Sequence, residues 1–190
     1  MAKMKVDFLT NTPTSGTFEE FHFGESFNHS LWVDFDISEN THWLGCFSKS
    51  YENGLNEVLF DSEEKTCCVI AGGKAYLIDI ERKSLIFETD EHPLIQSIVL
   101  SNNPNYYFLG NFYSIYVLNK NGLVKEIEPN FMVDGIYLES QDGTKIIGKV
   151  DSAENQYESQ LKISVDIESL EFDQLYTEPK INFLKKIFRK

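Results

Sequence analysis

The chain has 190 residues, of which 42% are hydrophobic and 14% aromatic, enough to bury the core of one domain. Its formal net charge is -13 at pH 7, and a field of this sign repels nucleic-acid phosphates and anionic membranes, so neither is expected as a partner. Because the sequence shows neither a membrane-spanning apolar run nor an apolar secretory leader, we expect a soluble protein of the cytoplasm.

Residues 1–30 precede the regular part of the chain. A turn-rich stretch over residues 11–16 is followed by apolar residues spaced among glutamates: Phe18, Phe21, Phe23 and Phe27. Alternation of apolar and polar residues is typical of a β-strand with one buried face. We predict an edge strand or a hairpin that closes a sheet.

From about residue 30 onward the chain repeats itself with a period of 38 residues, which is marked by Gly72, Gly110 and Gly148. Large apolar residues precede each glycine by two and by twelve positions; in chain order they are Ile70 and Phe60, Phe108 and Ile98, Ile146 and Ile136. A partial upstream copy keeps the same offsets in Val33, Trp43 and Gly45. Self-similarity of this kind indicates a repeated supersecondary unit. We expect equivalent residues to share an environment, and the glycine to lie where strands of adjacent units approach too closely for a Cβ.

Within each unit, short apolar runs alternate with turn residues. In the second unit this pattern predicts strands over residues 98–101, 106–109, 114–118 and 123–127. Asn121 and Gly122 suit a tight hairpin, because both residue types tolerate positive φ. Four antiparallel strands in about 40 residues are typical of a β-propeller blade, so we predict an all-β meander of about four propeller-like units. A β-sandwich or another meander stays an alternative.

The last segment differs in charge from the rest of the chain. Residues 178–190 carry five Lys or Arg and one Glu, which leaves a charge of -17 on residues 1–177. Thr177 and Pro179 are typical of a helix start, and one face of that helix would carry Ile181, Leu184 and Ile187 or Phe188. Within a single domain of residues 1–190, we expect a repeat body over 30–176 and a basic amphipathic helix over 177–190. We expect the helix to dock onto the acidic body, with a membrane surface as the alternative.

The sequence contains no recognisable catalytic or metal-binding motif. The sequence contains no metal-ligand spacing such as H-E-x-x-H or C-x-x-C, and its four histidines, His22, His29, His42 and His92, form no such pattern. No nucleophile elbow occurs, and Gly72-Gly73-Lys74 lacks the spacing of a phosphate-binding loop. We predict no metal, no cofactor and no enzymatic activity. The cysteines Cys46, Cys67 and Cys68 are expected to be reduced, buried strand residues.

One pair of carboxylates keeps an enzymatic alternative open. Asp34 and Asp36 stand two residues apart, so in a strand both point to one face. Acid–base or glycosidic chemistry uses such pairs, and Trp32 or Trp43 would then supply a stacking platform for a carbohydrate. Two exposed aspartates on an outer strand are the structural alternative.

Two acidic clusters fall in predicted connections between strands. Their members are Asp61, Glu63 and Glu64 in the first, and Glu88, Asp90 and Glu91 in the second. Connections on a rigid scaffold often carry binding residues, and an acidic field steers a basic partner toward the protein. We expect these residues to contact a basic protein partner, with solvated turns as the alternative.

Four segments carry a resemblance to other proteins: Leu31-Trp32-Val33, His42-Trp43-Leu44-Gly45, the run from Val69 to Asp79, and Val133-Asp134-Gly135-Ile136. Over about residues 30–170 the chain resembles small, poorly characterised bacterial β-repeat proteins with a propeller-like fold. The resemblance implies a style of fold and carries no catalytic residue across. WD40 proteins are similar in blade length only, since their Gly-His and Trp-Asp signatures are missing.

In composition the chain is similar to immunity proteins that neutralise bacterial toxins. We therefore predict a non-enzymatic protein-binding module with an acidic surface. More specifically, we predict an immunity protein that neutralises a basic toxin. Two alternatives remain. One is an enzyme that uses the paired carboxylates on a carbohydrate or another small molecule. The other is a homo-oligomeric structural subunit that covers its unpaired strand edges by self-association.

Overall fold

The structure, a computed structural model, describes residues 5–9, 11–14, 16, 18–25, 29–38, 41–90, 92–152 and 160–175. Within these ranges the chain forms β-strands and no helix, and the strands make four sheets of four strands each. The predicted C-terminal helix lies outside the described residues. Among the described residues, no helix combines the length and the apolar content needed to cross a membrane.

The first sheet has its own strand order. Its strands are β1 (Lys5–Phe8), β2 (Glu19–Phe23), β3 (Ser30–Ser38) and β4 (Thr41–Ser48). They are arranged β1-β3-β4-β2, and β2 runs parallel to β4. After β4 the chain passes directly to the second sheet. The strand that pairs with β4 at the edge of the first sheet is therefore β2, which comes earlier in the chain. The edge strand predicted near Phe21 is confirmed as β2, whereas Phe27 lies outside the described residues.

The other three sheets are antiparallel meanders whose strands follow one another in chain order. The second sheet contains β5 (Glu57–Asp61), β6 (Thr66–Ala71), β7 (Lys74–Asp79) and β8 (Ser84–Glu88). The third contains β9 (Ser97–Leu100), β10 (Tyr107–Gly110), β11 (Ile115–Asn119) and β12 (Gly122–Ile127). The fourth contains β13 (Val133–Asp142), β14 (Lys145–Ser152), β15 (Gln160–Asp166) and β16 (Phe172–Leu175). Four consecutive four-stranded sheets make the fold all-β and propeller-like, as the sequence predicts.

Each pair of consecutive sheets shares a hydrophobic core. The first and second sheets pack around Phe35, Trp43 and Phe47 with Cys67, Val69 and Tyr76. The second and third pack around Cys68, Ile70 and Leu77 with Tyr107 and Leu109. The third and fourth pack around Phe108 and Val117 with Ile146, Val150 and Ile163. None of these three clusters, which comprise described residues only, includes side chains of both the first and the fourth sheet.

The adjacent cysteines illustrate how a central sheet is buried on both faces. Successive side chains of a strand point to opposite faces, so Cys67 contributes to the core with the first sheet and Cys68 to the core with the third. Both thiols are free and buried, as is Cys46 in β4. The prediction of buried strand cysteines is therefore confirmed.

Polar contacts between neighbouring sheets accompany these cores. The Tyr76 hydroxyl donates to the Ser48 carbonyl at 2.8 Å, which joins the second sheet to the first. The Tyr107 hydroxyl donates to the Thr66 carbonyl at 3.0 Å, which joins the third sheet to the second. These bonds give buried hydroxyl groups the partners that they need in an apolar interior.

The equivalence predicted for the three glycines is wrong. Gly72 lies in the β6–β7 turn with φ +57, whereas Gly148 lies within β14 against the Tyr137 carbonyl of its own sheet. A Cβ on Gly110 would stand 2.5 Å from the Ile136 carbonyl oxygen of the fourth sheet, so Gly110 does lie where adjacent units approach closely.

The physical reason is a change of face between copies. Phe108 faces the fourth sheet, whereas Ile146, its predicted equivalent, faces back toward the third. A shift of one residue moves every side chain of a strand to the other face, and β13 pairs with β14 through two irregularities. The period of 38 residues therefore predicts the succession of sheets correctly. In the last copy it does not predict which individual residues occupy equivalent environments.

Candidate functional site

The paired aspartates of the enzymatic alternative lie on the first sheet. Asp34 and Asp36 are in β3, on the face opposite the buried Val33 and Phe35. The Oδ1 atom of Asp34 lies 2.5 Å from the Nε2 atom of His42, so this carboxylate already has a close partner. Neither aspartate lines any of the three clefts described below.

Trp43, which the enzymatic alternative offered with Trp32 as a stacking platform for a carbohydrate, is not accessible to a ligand. Its side chain is 0% exposed and stacks on Phe35 with ring centroids 3.9 Å apart. The residue points into the core between the first two sheets, because it shares that face of β4 with Phe47. Trp32, on the other face, is half-buried and contacts the His22 ring edge-on at 5.8 Å.

The first predicted acidic cluster holds the β5–β6 turn together. Asp61 is buried, and its Oδ1 atom accepts hydrogen bonds from the backbone N–H groups of Glu63 and Glu64 at 2.9 and 3.2 Å. The Glu64 carboxylate lies 2.6 Å from the Lys120 ammonium of the third sheet. A small cleft of about 220 Å³ separates this turn from residues 100–105 of the third sheet.

The second predicted cluster lies at the other end of the second sheet. Glu88 ends β8, and its carboxylate lies 3.1 Å from the Lys74 ammonium. Asp90 follows in the β8–β9 connection and is exposed, whereas Glu91 lies outside the described residues. Because β5 and β8 end at opposite ends of the sheet, the structure does not bring the two clusters together.

The largest cleft of the three lies beside Asp90, between the connections that leave the second and third sheets. It measures about 900 Å³. Its lining comes from the β8–β9 connection, the β10–β11 turn, strands β11 and β12, the β12–β13 connection and the start of β13: Asp90, His92, Pro93, Leu94, Asn111, Phe112, Tyr113, Ser114, Tyr116, Glu126, Glu128, Pro129, Phe131, Met132 and Val133. We call it the aromatic groove.

Asn111 fixes the shape of the turn on one side of the aromatic groove. This buried residue accepts hydrogen bonds at its Oδ1 atom from the backbone N–H groups of Tyr113 and Ser114, both at 2.7 Å. Its carbonyl accepts from the Ile136 N–H at 2.9 Å, which anchors the turn to the fourth sheet. Such an Asx turn leaves the intervening side chains at the surface, and the Tyr113 side chain is 69% exposed.

The groove combines apolar side chains with negative charge. Met132 is 65% exposed at its rim, and Phe131 is partly buried against the core of the third and fourth sheets. Three carboxylates line it, and no Lys or Arg does within the part of the chain that the structure describes. An exposed apolar surface of this kind is typical of an interaction site.

A hydrogen-bonded group of side chains forms the acidic corner of the groove. The Ser114 hydroxyl donates to the Glu126 carboxylate at 2.7 Å. Burial raises the pKa of the neighbouring Tyr116 phenol, and the negative charges of Glu126 and Asp90 raise this pKa further. The phenol therefore stays protonated at neutral pH, and it belongs to the same hydrogen-bonded group as Ser114 and Glu126.

A second cleft, of about 400 Å³, continues from the first and shares Asp90 and His92 with it. It adds two acidic residues, Glu25 and Glu88, together with Lys49 and Lys74. Since Lys74 pairs with Glu88, the larger groove remains the more strongly negative of the two.

Sequence reasoning found Asp90 but missed the aromatic residues of the groove. A signal was present, because Phe112-Tyr113 and Phe131-Met132 are apolar pairs in segments that otherwise read as polar connections. Apolar residues of a connection that remain exposed, as Tyr113 and Met132 do, are candidates for contact with something outside the chain.

Comparisons with known proteins add a structural likeness. No family model and no curated protein matches the chain. The β-propeller domain of Cps50 (Swd1) from Myceliophteria thermophila, a crystal structure, is similar with a TM-score of 0.44 and 15% sequence identity. The match covers 68% of this chain and 41% of that chain. The propeller-like fold described above rests on the sheet topology itself.

Proposed function

We propose that the protein is a non-enzymatic protein-binding module that takes a basic partner at its acidic surface. The observation that carries this proposal is the aromatic groove, whose lining combines the exposed side chains of Tyr113 and Met132 with three carboxylates. Aromatic residues and Met are enriched in protein interfaces, and Tyr is a frequent hot-spot residue.

The charge of the chain supports the same proposal. At -13, the whole protein attracts a basic partner over a distance of about a Debye length, roughly 8 Å at physiological salt. This attraction raises the association rate more than it raises the affinity. The packed sheets hold the connections that line the groove in fixed positions, which lowers the entropic cost of binding.

The specific form of the proposal is an immunity protein that neutralises a basic bacterial toxin. An acidic inhibitor suits such a target, because rapid electrostatic capture limits the time that a toxin is active. If the neighbouring gene encodes a toxin, co-expression of this protein should restore growth. Growth that stays arrested despite full expression of both proteins would remove the immunity role and leave the binding module.

The binding module itself is tested by affinity capture from the native cytosol. We expect a stoichiometric basic protein that is retained at low salt and released as salt is raised, because screening weakens the attraction between exposed charges. Recovery of no stoichiometric protein at low salt would contradict the proposal.

Self-association is a second candidate function, favoured by one observation. Consecutive sheets share cores, but none of the three core clusters joins the first sheet to the fourth among the described residues. An end sheet without a covering neighbour is a surface that a second copy would bury. Sedimentation at micromolar concentration decides between the two, since a monomer would rule out the structural-subunit alternative.

A further inference from the structure

We infer that the aromatic groove accepts a polypeptide segment in which a Lys or Arg side chain stands next to an apolar one. This inference rests on the proposed function and names the chemistry of the partner at that site. It follows from the division of the groove into an acidic corner and an apolar side.

The acidic corner is suited to a cation. The Ser114 hydroxyl holds the Glu126 carboxylate at 2.7 Å, and Glu126, Asp90 and Tyr116 all line the groove. Within the described residues, no Lys or Arg forms an ion pair with either carboxylate. A guanidinium or ammonium group placed here gains a charge-assisted hydrogen bond and a contact with an aromatic face.

The apolar side is suited to an aliphatic or aromatic side chain. Phe131 is anchored because part of it packs on the core of the third and fourth sheets. Met132 is largely exposed, and the flexible thioether of Met adapts to partners of different shape. Leu94 and Phe112, both half-buried, extend the apolar lining.

Charge selects the occupant of the groove. An anionic ligand would meet three carboxylates and no Lys or Arg among the described lining residues. A second copy of the chain brings a net charge of -13 and is repelled. A basic segment of a partner protein is attracted and also covers the apolar side, so it complements both parts.

Three fluorescently labelled peptides of equal length test the inference, with binding to the full chain followed by anisotropy. One alternates arginine with leucine, the second arginine with serine, and the third glutamate with leucine. We expect the arginine–leucine peptide to bind, the arginine–serine peptide to bind at least about tenfold more weakly, and the glutamate–leucine peptide not to bind up to about 1 mM.

Matched variants locate the bound peptide. Tyr113→Ala should weaken binding of the arginine–leucine peptide about tenfold and Glu128→Gln about threefold, because each removes one contact at the groove. Glu63→Gln changes the net charge by the same amount at the opposite end of the sheets and should leave the affinity unchanged. Circular dichroism melting checks that the variants are folded, and Tyr113 and Glu128 are exposed, so their loss should not unfold the chain.

The contrary outcomes separate the inference from the proposed function. The inference would be overturned if Glu63→Gln and Glu128→Gln weakened binding of the arginine–leucine peptide equally, or if the two arginine peptides bound with equal affinity. Capture of a basic partner would still support the binding module in either case. A dimer that Tyr113→Ala dissociates would make a second copy the occupant and would also overturn it. If neither an arginine peptide nor a basic protein binds, both proposals are lost.

Discussion

At the scale of single residues, Gly110 shows how closely two sheets approach. A Cβ at this position would stand 2.5 Å from the Ile136 carbonyl oxygen and 2.8 Å from the Ser97 hydroxyl oxygen. That hydroxyl donates to the Ile136 carbonyl at 3.1 Å and accepts from the Leu138 N–H at 2.8 Å, so it joins β9 to β13. Any side chain on Gly110 must therefore push the third and fourth sheets apart.

We predict that Gly110→Ala lowers the free energy of unfolding by about 1–3 kcal/mol through overpacking. Gly143→Ala is the matched control, because a Cβ added at Gly143 would meet nothing within 4 Å. Gly143 has φ +58, so this variant measures the conformational cost of positive φ alone, about 1–2 kcal/mol. Urea unfolding of the two variants measures both values.

The two costs have different origins, and combining each variant with Ser97→Ala distinguishes them. Ser97→Ala removes one of the atoms that crowd Gly110, so it should relieve part of the cost of Gly110→Ala and none of the cost of Gly143→Ala. No relief at Gly110, or equal relief at both sites, would contradict the crowding.

Tyr107 gives a second prediction at this scale. Its hydroxyl bonds to the Thr66 carbonyl at 3.0 Å and lies 3.1 Å from the Thr66 Oγ1 atom, and all these atoms are buried. Tyr107→Phe leaves the buried groups of Thr66 without this partner and should cost about 1–3 kcal/mol of stability. Tyr113→Phe, at an exposed tyrosine, should cost nothing measurable in the same urea experiment. Similar costs for the two variants would contradict the buried role of Tyr107.

The same hydroxyl predicts a pH dependence. Burial raises the pKa of Tyr107 above its ordinary value. The native state therefore keeps a proton that the unfolded state releases above about pH 10, so stability falls as pH rises through that range. Tyr107→Phe should make this fall shallower. An alkaline stability profile that is identical in the wild type and the variant would contradict the raised pKa.

At the scale of elements, the third sheet shows what a sequence pattern can predict. The strands predicted over 98–101, 106–109, 114–118 and 123–127 correspond to β9 to β12 with ends shifted by about one residue. The β11–β12 hairpin is confirmed, but its turn residues are Lys120 and Asn121, one position earlier than predicted. Gly122 begins β12, paired with Asn119, at φ +111. These features depend on residues close together in the chain, so local patterns are sufficient for them.

Two features of the elements depend on distant contacts and were beyond the sequence pattern. The strand order of the first sheet follows from the early exit of the chain after Ser48, which leaves a place for β2. The irregular pairing of β13 with β14 shifts the register of the fourth sheet, and a fixed spacing of glycines does not contain that shift. The same limit applies to the groove, because its lining comes from three connections and from strands of two sheets, which only the packing of the sheets brings together.

The cysteines of β4 and β6 yield a prediction for these elements. Burial raises the pKa of the Cys46, Cys67 and Cys68 thiols, and only the thiolate form reacts rapidly with disulfide reagents. We expect no rapid reaction with such a reagent at pH 8 in the native state, and reaction of all three thiols in denaturant. A thiol that reacts at the rate of a free cysteine in the native protein would contradict the burial of its strand.

At the scale of the whole molecule, the two ends of the sheets have different surfaces. One end carries Asp61, Glu63 and Glu64, where the Asp61 carboxylate accepts two backbone hydrogen bonds and the Glu64 carboxylate pairs with Lys120. The other end carries Asp90, Glu126 and Glu128 beside the exposed Tyr113 and Met132 side chains. Net charge predicted an acidic surface from the sequence, but only the fold distinguishes the end that combines charge with apolar contact.

The most direct test of binding at the aromatic groove is a titration of the isotopically labelled full chain with the arginine–leucine peptide, followed by amide NMR shifts. We expect the largest shifts at residues 111–114 and 128–132, with small shifts at residues 61–64. Largest shifts at residues 61–64, or shifts spread evenly over the acidic surface, would contradict binding at the groove.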